Sequence, residues 1–401
     1  MAECDVCIVG GGPAGMVAGY LFARAGLKTV VLEKHGDFLR DFRGDTVHPS
    51  TLDLFDELGL LKSLLRQPHD RVASVGAVIG GRRYQVADFR HLPGAGKFIA
   101  MMPQWHFLDF VAREAAHLPS FTLRMKVAAT RLAEARGRVT GVVTADGDTI
   151  PARLVIAADG RGSTLRRAAQ LPLRDLGAPI DVFWFRVPKQ QTPDNRTQAY
   201  VTPGEMFVTI DRGDYFQCAR VIKKGDAETI RAAGLDRFRS DVAAAVPPIS
   251  ERIGAIAGWA DVKLLEVSLD RLTRWHRPGL LAIGDAAHAM SPVGGVGINL
   301  AIQDAVAAAN ILARPLAAGE EIDPLLARVQ QRRMLPVQVV QGMQRAIHAR
   351  VIGAAMRNTE VRAPALLRLL DAVPLLQRIP ARILGLGVRR EHIRSPKAPI
   401  A

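Results

Sequence analysis

The N-terminal segment carries a glycine pattern that restricts the chain to a parallel α/β fold. An apolar stretch, residues 6–9, leads into Gly10-x-Gly12-x-x-Gly15, followed by a helical pattern and a second apolar stretch that ends at Glu33. In a βαβ unit such glycines let the backbone approach a pyrophosphate at a helix N-terminus, and the acid binds ribose hydroxyls. We therefore predict a site for an adenine dinucleotide, with Glu33 disfavouring a 2′-phosphate.

A second glycine-rich segment lies near the C-terminal end of the same predicted domain. Residues 280–283 are apolar and predict a buried parallel strand, which ends at Gly284 and Asp285. A glycine loop, residues 294–297, then opens a helix near Asn299, so its N–H groups and the helix dipole favour a ligand that becomes anionic when reduced. Alone, this segment is also compatible with an ordinary glycine-rich strand-to-helix turn.

A third segment completes an ordered set of motifs. The apolar residues 154–157 precede Asp159-Gly160 and a basic helix start at Arg166. The order of the three motifs closely resembles the class A flavoprotein monooxygenases, the single-component FAD-dependent aromatic hydroxylases typified by p-hydroxybenzoate hydroxylase. The resemblance covers roughly residues 1–320. It implies that Asp159 and Arg166 take part in FAD and NAD(P)H handling and that Asp285 binds the ribityl chain.

The resemblance also assigns individual site residues. Arg43 falls where the family has an arginine close to the flavin, and Gln104 where it has a side chain beside the isoalloxazine and ribityl groups; the alternatives are a solvated loop arginine and a helix-capping amide. The implied catalytic residues are Arg43, Pro292 and Gly295, with no metal ligand. The implied cofactor-binding residues are Gly10, Gly12, Ala14, Gly15, Glu33, Lys34, Arg43, Gln104, Val127, Asp159, Gly160, Gly284, Asp285, Pro292, Gly295, Val296, Gly297, Ile298 and Asn299.

The sequence departs from the family pattern at one position of the glycine loop. Val296 stands where many relatives have glutamine, which removes a polar side chain but keeps the backbone donors. We expect His288 to orient the loop and not to act as a base. No substrate-binding constellation is evident; the following residues are pocket candidates, although packing or surface roles are the simpler interpretation: His48, Tyr84, His106, Trp184 and Tyr215.

The resemblance implies an FAD-dependent monooxygenase that uses NADPH or NADH and O2 to hydroxylate a small aromatic or related electron-rich substrate through a C4a-hydroperoxyflavin. Without a second dinucleotide fingerprint, NAD(P)H is expected to bind transiently. One alternative is an isoprenoid-type reductase or dehydrogenase. Another is a flavin-dependent halogenase, whose tryptophan-rich signature residues 183–188 faintly resemble. A non-enzymatic flavin-binding regulator is a third.

The predicted fold class is α/β, with a Rossmann-like FAD-binding domain, an interleaved antiparallel-sheet substrate domain and a C-terminal helical segment. The FAD domain is assigned to residues 1–70, 101–170 and 271–320, and the substrate domain to 71–100 and 171–270. Residues 321–401 form a helical cap whose helices we place at 325–334, 337–356, 365–370 and 375–386. Its interleaved apolar residues and arginines leave open a peripheral contact with an anionic membrane.

Composition indicates a cytoplasmic enzyme, either a monomer or a homodimer. The net charge is +14, but the basic residues are scattered and aromatic residues make up only 5%, which argues against nucleic-acid binding. We see no signal peptide and no apolar run long enough to cross a bilayer. Cys4, Cys7 and Cys218 are predicted to be structural, since no second ligand pair accompanies the Cys4-x-x-Cys7 spacing.

Overall fold

The computed structural model describes residues 4–39, 45–189, 197–349 and 363–398. Its α-helices are α1 Pro13–Arg24, α2 Pro49–Glu57, α3 Leu61–Leu64, α4 Gln104–Ala116, α5 Thr164–Ala168, α6 Ala227–Ala232, α7 Leu235–Ala245, α8 Gly297–Ala317, α9 Asp323–Ile347, α10 Ala365–Ala372 and α11 Arg378–Gly385.

Most of the strands follow one another in runs between these helices. They are β1 Cys4–Val9, β2 Thr29–Glu33, β3 Thr46–Val47, β4 Asp70–Val72, β5 Ser74–Ile79, β6 Arg82–Asp88, β7 Ile99–Met101, β8 Phe121–Met125, β9 Ala129–Ala135, β10 Arg138–Thr144, β11 Thr149–Ala157, β12 Leu173–Asp175, β13 Ile180–Pro188, β14 Gln198–Thr202, β15 Glu205–Asp211, β16 Tyr215–Lys223, β17 Lys263–Leu265, β18 Asp270–Leu272, β19 His276–Arg277, β20 Leu280–Ala282 and β21 His288–Ala289.

The first sheet is mainly parallel and has the order β19-β20-β11-β1-β2-β8, with β10 and β9 added antiparallel beside β11. Strand β1 is parallel to both neighbours, with Val6 opposite Leu154 on one side and Thr29 on the other. Both faces of these strands are covered, which is why β1, β2 and β20 are almost continuously apolar. Helices α1 and α8 pack against each other over this sheet. The three predicted motifs therefore lie at the ends of adjacent strands.

The second sheet has the order β17-β13-β16-β15-β14-β5-β6 and is antiparallel except where β14 pairs with β5. Alternation along β13 gives it two apolar faces. Phe183 and Phe185 pack with Phe238 of α7, whereas Val182 and Trp184 belong to the cluster that includes Val293. In the structure the glycine loop comprises residues 292–297, and Val293 is part of it. One face of this sheet thus lies against that loop. The predicted fold class is confirmed, and the limits of the two domains stay a prediction.

Two local expectations were wrong. The predicted break between helices 325–334 and 337–356 is absent, because α9 continues through the buried Pro336; packing offsets the hydrogen bond that proline removes. In the sequence, the alternation of Leu265, Val267 and Leu269 also predicts one strand. In the structure that strand, β17, ends at Leu265, because the Val267 N–H donates to Asp181 Oδ1 at 2.9 Å instead of joining the sheet.

Within the described residues, one helical stretch, Val293–Ala317, has the length and hydropathy of a membrane span. Its most apolar window is 78% buried inside the protein. The stretch consists mainly of α8, which packs on α1 and α9. Its hydropathy is accounted for by this position in the core.

Candidate active site

The carboxyl ends of four parallel strands meet at one edge of the first sheet. The Gly10 N–H donates to Leu32 O at 2.8 Å, the Ala158 N–H to Val9 O at 2.8 Å, and the Ile283 N–H to Ala157 O at 3.0 Å. These bonds hold the Gly10, Asp159 and Gly284 turns side by side. The three sequence motifs therefore form one continuous edge, the position at which open α/β sheets bind ligands.

The glycines of the first motif are required for different physical reasons. Gly10 has φ +107°, and a Cβ there would lie 2.3 Å from Ala158 O; a Cβ on Gly15 would lie 1.9 Å from Gly10 O. These two positions allow the strand, turn and helix to touch. A Cβ on Gly12 would meet nothing within 4 Å. Gly12 instead leaves open space at the start of α1.

Two helix N-termini reach this edge. Neither α1 nor α8 has a capping side-chain hydrogen bond or an acidic residue in its first turn. Their first N–H groups and helix dipoles therefore favour an anion. A Cβ on Gly284 would lie 3.0 Å from Ala14 Cβ and 3.2 Å from Ala301 Cβ, so the two helices converge at that glycine.

Glu33 is only 8% exposed at the end of β2. Its Oε2 accepts a hydrogen bond from the Gly11 N–H at 2.9 Å, and its Oε1 accepts one from the His35 N–H at 2.9 Å. The carboxylate therefore braces the glycine turn as well as facing the predicted adenosine side. Val127 reaches the same strand end through its N–H, 3.0 Å from Glu33 O, and Lys34 is exposed.

Asp159 has a structural task that the motif did not indicate. Its Oδ2 accepts from the Thr164 N–H at 2.7 Å and the Leu165 N–H at 3.2 Å, and its Oδ1 from Ser163 Oγ at 2.5 Å. It thereby caps α5. Gly160, with φ +81°, leaves open space beside it. The cofactor role of Asp159 stays a prediction.

Arginines from the Asp-Gly motif tie it to the neighbouring segments. Arg161 Nε lies 3.0 Å from Asp285 Oδ2, each side chain being 33% exposed, and its Nη2 donates to Met290 O at 3.1 Å. Arg166 is buried and lies 3.6 Å from Asp270 Oδ1. Arg161 was not predicted as a site residue. Its signal was its position directly after Asp159-Gly160, at a strand end next to that of Asp285.

The glycine loop is held by the segment before α2. Gly294 and Gly295 have φ +82° and +61°, a conformation that other residues rarely adopt. Thr46 Oγ1 donates to Gly295 O at 2.7 Å. Asn299 Oδ1 accepts from the His48 N–H at 2.9 Å.

Pro292 is the first residue of the loop, Gly297 begins α8, and Ile298 follows it. Val296 is buried, so valine in place of the family glutamine adds to core packing.

His48 is a buried structural histidine beside the loop. Its Nδ1 lies 2.7 Å from Leu384 O of α11, which makes Nδ1 the protonated donor. Burial lowers its pKa from 6.5 to about 4, outweighing the hydrogen bonds to the Leu384 and Gly295 backbone, which raise it. At neutral pH it is uncharged. His48 thus links the C-terminal helices to the loop and does not line an open pocket.

A buried charge network lies beneath the Gly-Asp turn. His288 Nε2 lies 2.6 Å from Asp304 Oδ2, which also accepts from the Gly284 N–H at 3.1 Å, and Arg333 Nε lies 3.0 Å from Asp304 Oδ1. Burial acts to raise the pKa of Asp304, but His288 and Arg333 outweigh it and lower that pKa. The loop-orienting role of His288 stays a prediction; Asp304 and Arg333 were not predicted.

A second polar cluster joins the segment before β3 and the start of α4 to the second sheet. The Gln104 N–H, at the start of α4, donates to Asp45 Oδ1 at 3.3 Å, and Asp45 pairs with the buried Arg212. Arg212 Nη2 donates to Gln217 Oε1 of β16 at 2.9 Å. Burial raises the pKa of Asp45 and Arg212 opposes that rise. Arg43 lies outside the described residues, so its role stays a prediction.

The remaining pocket candidates have different settings. Tyr84 is buried among Ile79 and Val201, which indicates packing. Trp184 lies in the apolar cluster that contacts the glycine loop. His106 and Tyr215 are half-buried. Of these residues, Trp184 is the one that shares an apolar cluster with Val293 of the glycine loop.

Comparison with known proteins indicates which ligand binds at this edge of the sheet. The model of the FAD binding domain family matches residues 3–343. The 6-methylpretetramide 4-monooxygenase of Streptomyces rimosus is 33% identical over 407 aligned positions, which cover 98% of this chain and 95% of that enzyme. The chain belongs to this family of FAD-dependent monooxygenases.

Solved structures of two proteins have the same fold as this FAD-dependent monooxygenase. PqsL, a probable FAD-dependent monooxygenase from Pseudomonas aeruginosa, superposes with a TM-score of 0.76 at 21% identity, over 88% of this chain and 98% of that one. The anhydrotetracycline hydroxylase OxyS of Streptomyces rimosus gives a TM-score of 0.73 at 22% identity, over 95% of this chain and 76% of that one. At these identities the likeness concerns the fold.

The residues of this monooxygenase fit FAD. The uncapped N-terminus of α1, with open space at Gly12, suits a pyrophosphate. The α8 N-terminus, preceded by the positive-φ loop, offers N–H donors to the ring of the flavin. Glu33 and Asp285 stand at the strand ends where ribose and ribityl hydroxyls need acceptors.

Proposed function

We propose that this monooxygenase hydroxylates a polycyclic aromatic phenol, with NADPH or NADH as reductant. The overall reaction consumes substrate, NAD(P)H, a proton and O2, and yields the hydroxylated product, NAD(P)⁺ and water. Support for the substrate class comes from the relative that acts on 6-methylpretetramide, aligned with nearly the whole chain. Bound FAD supplies the oxygen-activating redox chemistry that side chains lack.

The observation that carries the proposal is the apolar face of the second sheet against the glycine loop. Trp184, Val208 and Ala219 project from adjacent strands into one cluster with Val293 of the loop. A flat, apolar substrate is suited to such a surface because its rings lose contact with water there. Gln217, on the same face of β16 as Ala219, is held by Arg212 and marks the polar end of this surface.

The protein's own groups have defined tasks in this proposal. The α8 N–H groups would stabilise negative charge on bound FAD, as donors in an oxyanion hole do. By the resemblance, Arg43 would add a fixed positive charge and Gln104 would contact the ribityl side. The two histidines beneath the loop, His48 and His288, hold its position and transfer no proton, because both are buried and engaged.

The test compares NADPH and NADH consumption with and without O2, using holoenzyme and a panel of polycyclic and monocyclic phenols. We expect the purified protein to be yellow, with one FAD per chain. A polycyclic phenol should stimulate NAD(P)H oxidation and gain one oxygen atom from ¹⁸O2, detected by mass spectrometry. Reduction of substrate without O2 would favour the reductase alternative. Chloride-dependent halogenation would favour a halogenase.

A matched pair of variants tests the cofactor assignment. Asp285→Ala should weaken FAD binding about ten- to a hundredfold, since a hydrogen bond to a charged group contributes roughly 1.5–3 kcal/mol. Cys7→Ala, in the core of β1, should retain FAD affinity while losing some stability. Equal affinity in the two variants, measured by flavin fluorescence, would remove Asp285 from the FAD site.

A further inference from the structure

The C-terminal helices expose an unusual concentration of large apolar side chains. Six of the ten exposed large hydrophobic residues in the described part of the chain fall between positions 366 and 383, with exposures of 37–67%. We call this set the C-terminal apolar face. It consists of Leu366, Leu369, Val373, Leu375, Ile379 and Ile383.

The face is one side of an amphipathic layer whose other side is already used. Helices α10 and α11 both pack on strand β6. Leu367 of α10 joins the cluster around Tyr84, and Ala381 of α11 joins the cluster around Phe89. The spacing of Leu366, Leu369 and Val373 places them on the opposite side of α10. The exposed residues therefore lie on the side of these helices that faces away from the rest of the protein.

The charges of the same segment are strongly biased. Arg368, Arg378 and Arg382 are exposed among the apolar residues. The one acidic residue between positions 363 and 386, Asp371, is drawn toward the sheet, where its Oδ1 accepts from the Gln85 N–H at 2.9 Å. The outward surface is consequently apolar and cationic.

We propose that the C-terminal apolar face docks on an anionic phospholipid membrane surface. Apolar side chains flanked by arginines match the boundary between acyl chains and anionic headgroups. A two-fold contact with a second copy would bring the arginines of one chain against those of the other, which is unfavourable. This proposal is independent of the hydroxylation reaction.

The experiment is co-sedimentation of the holoenzyme with vesicles of phosphatidylcholine alone or of phosphatidylcholine with phosphatidylglycerol. We expect binding to the anionic vesicles that weakens as salt is raised. The double variant Leu375→Asp with Ile379→Asp should abolish it. Arg378→Gln with Arg382→Gln should weaken it about tenfold or more. Bound flavin absorbance and circular dichroism verify that each variant is folded.

Leu173→Asp is the matched control, since Leu173 is 46% exposed on β12, outside the face. It should bind vesicles as the wild type does. Absence of binding to either vesicle, or equal binding by Leu375→Asp with Ile379→Asp and by wild type, would overturn the proposal. So would self-association in analytical ultracentrifugation that the same substitutions abolish, without vesicle binding, because it would assign the face to a second copy.

Discussion

At the scale of single residues, the three glycines of the first motif differ in how much space a side chain would have at each position. Gly15→Ala should prevent folding, because its Cβ would lie 1.9 Å from Gly10 O. Gly12→Ala meets no protein atom and has a φ of −74°, so the variant should fold and lose FAD affinity at least tenfold. Thermal unfolding and flavin titration separate the two effects.

Gly254→Ala is the control for both variants. A Cβ at Gly254 would meet no atom within 4 Å, and its φ lies outside the left-handed region that favours glycine. It should retain wild-type stability and FAD affinity. If Gly12→Ala bound FAD as Gly254→Ala does, the pyrophosphate would not approach this turn.

His48 gives a pH-dependent contribution to stability. Its pKa is about 4 in the folded protein and near 6.5 in the unfolded chain. The unfolded state therefore takes up a proton first as the pH falls, and stability is lost between pH 6.5 and 4, by roughly 3 kcal/mol. Above pH 6.5 this group has no such effect. His48→Gln should show a correspondingly flatter dependence in urea unfolding between these pH values.

The exposed His117 supplies the control, His117→Gln. It should retain the wild-type pH dependence of the free energy of unfolding. Equal losses in wild type and His48→Gln would show that His48 protonates without penalty and is not held neutral by burial.

At the scale of elements, α9 stabilises the Gly284-Asp285 turn through the buried network around Asp304. Arg333→Met leaves Asp304 with His288 as its remaining ionisable partner, and Asp304→Asn leaves Arg333 with the more distant Glu391, whose Oε1 lies 3.4 Å from Arg333 Nη1. Each single change should therefore cost about 3–5 kcal/mol. The double variant should cost less than the sum of the two, because it removes both charges. Urea unfolding of all four proteins completes this cycle.

An exposed ion pair serves as the control for the buried network. Arg237→Met breaks a surface pair with Asp241, in which the arginine side chain is 72% exposed, and should cost at most about 1 kcal/mol. Additive losses for Asp304→Asn and Arg333→Met would mean that the two buried side chains act independently.

Sequence patterns located the strands and turns of the site but not the groups that brace them. Gly10, Asp159 and Gly284 follow apolar strands, so local patterns placed them at strand ends. Arg333 lies in a helix distant in sequence, and no local signal links it to Asp304. Tertiary packing also overrode local propensity at Pro336, which α9 contains without a break.

At the scale of the whole molecule, the α/β class could be predicted from the sequence, because the three cofactor motifs each require a strand that ends in a turn. The proposed substrate surface was less predictable, because the face of the second sheet combines side chains from strands far apart in the chain. Trp184 of β13, Val208 of β15 and Val293 of the loop meet only after folding. The amphipathic C-terminal pattern was visible, whereas which apolar residues remain exposed required the packing on β6.

The net charge of +14 yields a prediction about how quickly the cofactor arrives. FAD carries a negatively charged pyrophosphate, and a cationic protein attracts it over the Debye length, about 30 Å at 0.01 M salt and about 8 Å at 0.15 M. The association rate of FAD with apoprotein should therefore fall severalfold across this range, while dissociation changes less. Stopped-flow flavin fluorescence measures both rates. Riboflavin, which lacks the phosphates, should associate at a nearly salt-independent rate; equal salt dependence for both ligands would show that the scattered arginines do not steer FAD.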